Sequence, residues 1–463
     1  MKKWILIIFF IWFFLSLFWL WKNNTMPVGY DHGAYREFIN LMHGGADYYS
    51  LRPYLQGQFE PFSGVLFYYL RSAIPTNYIL TWFYAAVYLG ICLWLLFMGK
   101  RSNKYTHASY LWFGLAFFSV IQFKVMWWGF GKEMIATFFL LWAIRYNKKI
   151  AIATILLSAC IALHRLTGFV GILYFLLLFL KQNSSRKKYT SIILVSIIIG
   201  ALTYFWTWGK HISPFVWRKI QDYLFLKWPY GTLFSEGDFW FFQSFLLTFG
   251  LIGFITSYVY KRKSYIYKTH LLLFSIIAFM VITHCIAYTR MEAFFDLALI
   301  LVLSQFLPQI FSKKVLVFIV GIQAIVWTYH FHLRHQPGIT ETELKKIEVL
   351  QKYLPKEAKI FSLNALYMPW LQGYSQKEIL APYIAGSIKN QGYSLVWAMQ
   401  NKDILCHFLK KSPKNTYLFV GEKERFYPSI QNNPCLNEVI YINKKSRVFT
   451  LSDDYMQGFM PPR

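Results

Sequence analysis

From Trp4 to Trp21 the chain runs for 18 residues without a charge. Further uncharged runs of near-bilayer length recur as far as residue 331. At about 1.5 Å per residue, 18 helical residues nearly cross a hydrocarbon core of about 30 Å. The runs are continuous rather than alternating, which excludes a transmembrane β-barrel. The fold class expected is therefore a polytopic α-helical membrane protein.

The basic residues fix the expected orientation. Net charge is +27, a balance that would suggest nucleic acid in a soluble protein. Here the cations fall in short loops: Lys100-Arg101 with Lys104, Arg145 with Lys148-Lys149, Lys181 with Arg186-Lys187-Lys188, Lys261-Arg262-Lys263, and Lys313-Lys314. Such clustering marks cytoplasmic loops, so membrane lipids, and not nucleic acid, are the expected partners. One arrangement keeps all five loops inside. Its N-terminal helix is followed by spans near 78–98, 108–124, 130–144, 150–163, 166–180, 189–207, 239–260, 270–287, 291–308 and 315–331. That makes about eleven, and it requires 150–180 to be two short spans meeting at His164-Arg165. It also makes 61–70 interfacial or re-entrant. A rival arrangement makes 61–74 a full span and 150–180 one long tilted helix, at the cost of two basic loops outside.

Both arrangements put the C-terminal region outside. The expected organisation is a transmembrane domain over 1–334, with an external loop at 22–77 and a Trp-rich external loop at 208–238. An extracytoplasmic α/β domain follows over 335–463. In the latter, Glu341 to Leu354 reads as an amphipathic helix ended by Pro355. Lys359–Leu363, Tyr417–Val420, Val439–Ile442 and Arg447–Leu451 read as short strands. Cys92, Cys160 and Cys285 lie in apolar segments and read as packing residues. Cys406 and Cys435 lie in the polar region, where a disulfide is open to them if the compartment is oxidising. The N-terminal Met-Lys-Lys before a long apolar run reads as a retained anchor.

Charges at the edge of apolar segments are the candidates for chemistry. Tyr30-Asp31-His32-Gly33-Ala34-Tyr35-Arg36 follows the first apolar run; in a helix Asp31 would share a face with Tyr35, and His32 with Arg36. Glu60 precedes Pro61 and another apolar stretch. Asp31 and Glu60 offer a general base, or ligands for a divalent cation, the only cofactor the sequence suggests. The bland alternatives are a helix cap and a charge at a helix N-terminus. His164-Arg165 interrupts an otherwise uncharged tract, and arginine's fork suits phosphate. Lys132 adjoins Glu133, and the two could merely neutralise each other. Arg290 precedes Glu292 and Asp296, with His284 nearby. No Walker A, Gly-rich dinucleotide, HExxH or GxSxG motif occurs.

Asp31-His32-Gly33-Ala34-Tyr35 after the first helix, Glu60-Pro61 before an apolar helix, Thr289-Arg290 opening a late one, and Tyr353-Leu-Pro-Lys-Glu-Ala-Lys-Ile360 together resemble the GT-C superfamily of membrane glycosyltransferases. His32 stands where many members carry a second acid. Gly29-Tyr30-Asp31 with Tyr35, Lys132 and His164 also resembles the Wzy-like polysaccharide polymerases. The GT-C resemblance implies an enzyme of the bacterial cytoplasmic membrane. It would move a sugar from a polyprenyl-phosphate-linked donor to a glycan or lipid acceptor at the outer face. Asp31 and Glu60 would be catalytic, and His32, Tyr35, Arg36, Lys132, His164, Arg165 and Arg290 would bind substrate or phosphate. The alternatives are a Wzy-like polymerase and a non-enzymatic transporter or flippase for a lipid-linked glycan. A further expectation is that Asp31, Glu60, His164 and Arg290 line one outward-facing cavity.

Overall fold

The computed structural model describes residues 84–102, 108–127, 131–208, 236–259, 268–284, 288–334, 339–362, 367–379, 415–422, 435–443 and 446–451. It also describes positions 7, 11, 14, 15, 36, 405, 406, 409, 412, 413, 430, 432 and 433. The chain divides into two compact units. One comprises residues 1–58, 71–80 and 336–463, the other residues 59–70 and 81–335.

The second unit is helical throughout its described residues. Its helices are α1 (Tyr84–Ser102), α2 (Ala108–Phe117), α3 (Val120–Trp127), α4 (Gly131–Arg145), α5 (Ile150–Leu163) and α6 (Arg165–Lys181). After them come α7 (Arg186–Trp208), α8 (Glu236–Val259), α9 (Lys268–Ile282), α10 (Tyr288–Ile310) and α11 (Lys313–Thr328). The stretches 237–259, 290–310 and 313–331 are long and apolar enough to cross a membrane. Other helices fall short: α5 has 14 residues, about 21 Å of rise. The number of spans therefore stays an expectation. The packing is that of a helical membrane protein. Large apolar side chains such as Ile155, Ile198, Leu202, Leu251, Phe254, Phe318 and Ile325 point outward, where lipid rather than water suits them. Helix α10 is the central element, with 94% of its apolar window buried.

The tract 150–180 is a hairpin, not one long helix. His164 adopts extended backbone (φ −156°, ψ 109°) between α5 and α6. Its Nδ1 accepts from the Thr167 amide and lies 2.8 Å from Thr167 Oγ1, capping α6. The two arms touch where a side chain is missing: a Cβ at Gly168 would lie 2.8 Å from the Ile161 Cα, and one at Gly171 would lie 2.6 Å from Leu157. Gly200 of α7 meets the same Ile161 from the other side. Small residues let helix backbones approach closely where no hydrophobic driving force exists between lipid-borne helices.

In the first unit, α12 (Glu341–Tyr353) and a five-stranded sheet form the core. The helix starts on a capping box: the Glu343 amide donates to Thr340 Oγ1, and the Thr340 amide donates to the Glu343 carboxylate. Leu344, Ile347 and Leu350 bury one face at helical spacing, and Pro355 bars continuation. The strands are β1 (Lys359–Phe361), β2 (Glu378–Ile379), β3 (Thr416–Val420), β4 (Leu436–Asn443) and β5 (Ser446–Leu451), in the order β2-β1-β3-β5-β4. β2 and β3 flank β1 in parallel; β5 is antiparallel to β3 and β4 to β5. Helix α13 (Met368–Tyr374) links β1 to β2 and buries Trp370, Leu371 and Tyr374. Cys406 and Cys435 form a disulfide; Cys92 and Cys160 are buried free thiols.

Gly168→Val should lower thermal stability in detergent by about 1–3 kcal/mol, as overpacking does. Gly237→Ala, where nothing lies within 4 Å of the added methyl, should be neutral. Thermal unfolding of the two variants compares a packed and an open glycine directly.

Candidate functional site

The polar centre of the helical unit is built around a break in a helix. The tract 108–124, expected as one span, splits at Phe118-Ser119 into α2 and α3. A broken helix leaves carbonyls and amides that lipid cannot satisfy. Here side chains satisfy them. The Tyr88 hydroxyl donates to the carbonyls of Ala116 (2.8 Å) and Phe117 (2.9 Å) at the end of α2. Ser119 Oγ accepts from the Gln122 amide, capping α3.

The same serine donates to Asp296 Oδ2 at 2.7 Å. Gln122 Nε2 donates to that oxygen at 3.0 Å and to the Ala293 carbonyl at 2.7 Å. Gln243 Nε2, from α8, donates to Asp296 Oδ1 at 2.8 Å. Asp296 is only 1% exposed, so these donors stand in for its lost hydration. One carboxylate thus ties α3, α8 and α10 together. Close in sequence to this centre, buried Lys124 is opposed by the carboxylates of Asp238 and Glu292.

A narrow cleft opens beside this centre. It is lined by Gln122, Glu133 and Thr137 on its polar side and by Met134, Phe294 and Leu297 among its apolar contacts. Glu133 is buried. Helices α4 and α10 both line the cleft, and their first turns carry Lys132 and Arg290. Arg165 opens α6 in the same manner. Leu140 of α4 meets the Gly171 position of α6, so these two helices lie side by side. A cation in a first turn opposes the helix dipole.

The sequence-derived candidates fare unequally. Asp31, His32, Tyr35 and Glu60 lie outside the described residues, as do the 61–74 stretch, Cys285 and most of the Trp-rich loop. The single outward cavity expected to unite Asp31, Glu60, His164 and Arg290 therefore stays an expectation. None of Lys132, His164, Arg165 and Arg290 is among the residues lining the cleft; Lys132 precedes its lining residue Glu133, and His164 and Arg165 form the α5–α6 turn. Arg36 stacks on Tyr374, its guanidinium carbon 3.9 Å from the ring centroid. His284 ends α9 in left-handed backbone (φ 55°). Ser119, Gln122, Gln243 and Lys124 were not anticipated. The first three carry no charge to flag them, and Lys124 sits at the rim of an expected span. Among the described residues no group of three or more His, Cys, Asp or Glu is arranged to hold a metal.

A helical membrane protein with a hydrogen-bonded carboxylate buried at its centre and a cleft beside it is the class these features define. The chain matches the EpsG family over residues 7–341 and belongs to it. That family is related to the Wzy-like polymerases, so the match supports the Wzy resemblance and not GT-C specifically. It ends at the start of α12, so the C-terminal sheet does not count against that relationship. Comparison with curated proteins gives no match.

Asp296→Leu should strand three donors in a dry site, at about 1–3 kcal/mol each before relaxation. Asp296→Asn, which keeps an acceptor, should cost less. Thermal unfolding of the purified protein ranks the two; equal stability of Asp296→Leu and the parent would remove Asp296 from the packing of α3, α8 and α10.

Proposed function

We propose that the protein is a Wzy-like polysaccharide polymerase, an enzyme that joins glycan units carried on a polyprenyl lipid at the outer face of a bacterial cytoplasmic membrane. Membership of the EpsG family carries the reading. The reaction is glycosyl transfer: an acceptor hydroxyl attacks the anomeric carbon of the donor glycan. The bond from that carbon to the lipid phosphate breaks, the phosphate leaves with the electron pair, and a carboxylate takes the hydroxyl proton.

The chemistry of the helical unit supports this assignment. The leaving phosphate sits at the membrane interface because its lipid lies in the bilayer. Arg290 and Lys132 would hold it, with His164 and Arg165 as further candidates, since charge-assisted contacts from helix N-termini suit a phosphate. Asp31 is the proposed base and Glu60 its proposed companion, on the strength of sequence alone. The Cys406–Cys435 disulfide supports an extracytoplasmic C-terminal region, because such bonds persist in oxidising compartments.

The deciding experiment supplies a lipid-linked glycan unit to the protein in proteoliposomes and resolves the products by length. A ladder of polymers is expected. Addition of one sugar from a polyprenyl-phosphate monosaccharide, with no ladder, would restore the GT-C reading; movement of the lipid-linked glycan without any new bond would make the protein a transporter.

Arg290→Ala should lower turnover about 10²-fold or more, as loss of a transition-state charge contact does, and should weaken donor binding too. Asp31→Asn should lower turnover by about 10²–10⁴ while leaving folding intact, because the amide matches the carboxylate in size but cannot take the proton. Steady-state kinetics on both variants, beside their melting curves, checks these effects. In intact cells Cys406 and Cys435 should react with a maleimide only after reduction.

A further inference from the structure

Two connections of the helical unit, residues 145–149 and 181–188, carry cations and no Asp or Glu. Packing brings them to one end. Ser196 Oγ of α7 donates to the Thr154 carbonyl of α5 at 3.2 Å, and the Gly200 position of α7 meets Ile161 of α5. Contacts that climb both helices together mean that α5 and α7 run in the same direction. The residues at their starts, Lys148 and Lys149 for α5 and Arg186, Lys187 and Lys188 for α7, therefore share an end. Helix α6 returns beside α5, since Gly168 meets Ile161 and Gly171 meets Leu157, so Lys181 comes back to that end as well. The charges crowd one another. Partial burial lowers the pKa of Lys188, and the charge of Lys148, from the other connection, lowers it further. Among the described residues none of these six cations has a carboxylate in ion-pair range. Lys149, Arg186 and Lys188 lie instead over the rings of Tyr146, Phe179 and Tyr189, each at 5.6 Å. No side chain caps α5, whose first amides follow Lys149.

We propose that this end of α5, α6 and α7 is a binding site for the head group of an anionic phospholipid. A phosphate between the two basic connections offsets the like-charge repulsion that the packing builds in, and accepts from the uncapped amides of α5. Orientation in the membrane does not demand such crowding: it needs basic loops, not two of them brought together without an acid. The apolar side chains argue for a lipid rather than a free phosphate. Directly beyond the cations, Ile150 and Ile155 of α5, Leu180 of α6, and Leu194 and Ile198 of α7 are exposed. The acyl chains of an amphiphile cover them while its phosphate meets the lysines, as in other basic pockets between membrane helices. The proposal does not depend on the polymerase reading.

The test uses the full chain in micelles of a neutral detergent and reads the melting temperature. The protein is titrated with phosphatidylglycerol, with zwitterionic phosphatidylcholine, or with inorganic phosphate. Phosphatidylglycerol should raise the melting temperature by about 3 °C or more, as a ligand of the folded state does; the other two should not. Lys148→Gln/Lys188→Gln should need about 25-fold more phosphatidylglycerol for half the effect, near fivefold for each charge removed. Without lipid the same variant should melt no lower than the parent, because it loses a repulsion. Lys188→Gln alone should need about fivefold more lipid, and serves if the double variant fails to fold. Lys313→Gln/Lys314→Gln removes an equal charge from the start of α11, a helix packed against α2, α8 and α10. It should titrate within about twofold of the parent, being screened from the site. Equal weakening in that control would overturn the proposal, since net charge would then account for binding. So would equal stabilisation by phosphatidylcholine, or by inorganic phosphate, which would make the site one for a soluble anion. A Lys188→Gln protein that titrates like the parent would also overturn it.

Discussion

Backbone amides and carbonyls removed from water must find partners, and in lipid they must find them within the protein. The helical unit is organised by this constraint at a place where it would otherwise be violated. The break between α2 and α3 frees carbonyls that Tyr88 takes and amides that Ser119 caps. Because Ser119 also donates to Asp296, the repair of a backbone defect becomes the anchor for a buried carboxylate. That carboxylate in turn fixes α8 through Gln243. Three helices are held in register by one chain of donors and acceptors, and the cleft beside Glu133 inherits its shape from that register.

The distribution of charge has a similar logic. Lys124 is buried but faced by two carboxylates, which is how an ionised group survives in a dry setting. Lys132, Arg165 and Arg290 each sit in a helix's first turn, where the dipole disfavours a cation.

Much of this architecture could be read from the residues. The hairpin at His164-Arg165 was legible because a charged pair interrupts a long apolar tract, and a turn at the membrane edge is the cheapest place for it. The capped helix at Glu341 and the strands after it followed from spacing and from Pro355. The two-residue β2 and the aromatic α13 carry no comparable pattern. The helix break at Phe118-Ser119 was invisible because neither glycine nor proline marks it; what permits it is Tyr88, about thirty residues earlier. The stack of Arg36 on Tyr374 was invisible for the same reason. Periodicity reports on neighbours along the chain, and these contacts join residues far apart in it. The GT-C resemblance rested on a few short motifs, whereas the family match draws on residues 7–341.

Helix α10 has one more consequence, which concerns how the protein is made. Its N-terminal turns carry Arg290, Glu292 and Asp296, and nearly all of its apolar window is covered by protein rather than lipid. Such a segment is apolar enough to enter a bilayer, but alone there its Asp296 carboxylate would lack donors. The groups that receive it, Ser119, Gln122 and Gln243, are all synthesised earlier. The first helices therefore act as a receptor built in advance, and the Asp296 carboxylate is satisfied at the moment α10 meets them. Biogenesis of the unit is thus vectorial, with the central helix among the last to arrive and the surrounding ones already waiting for it.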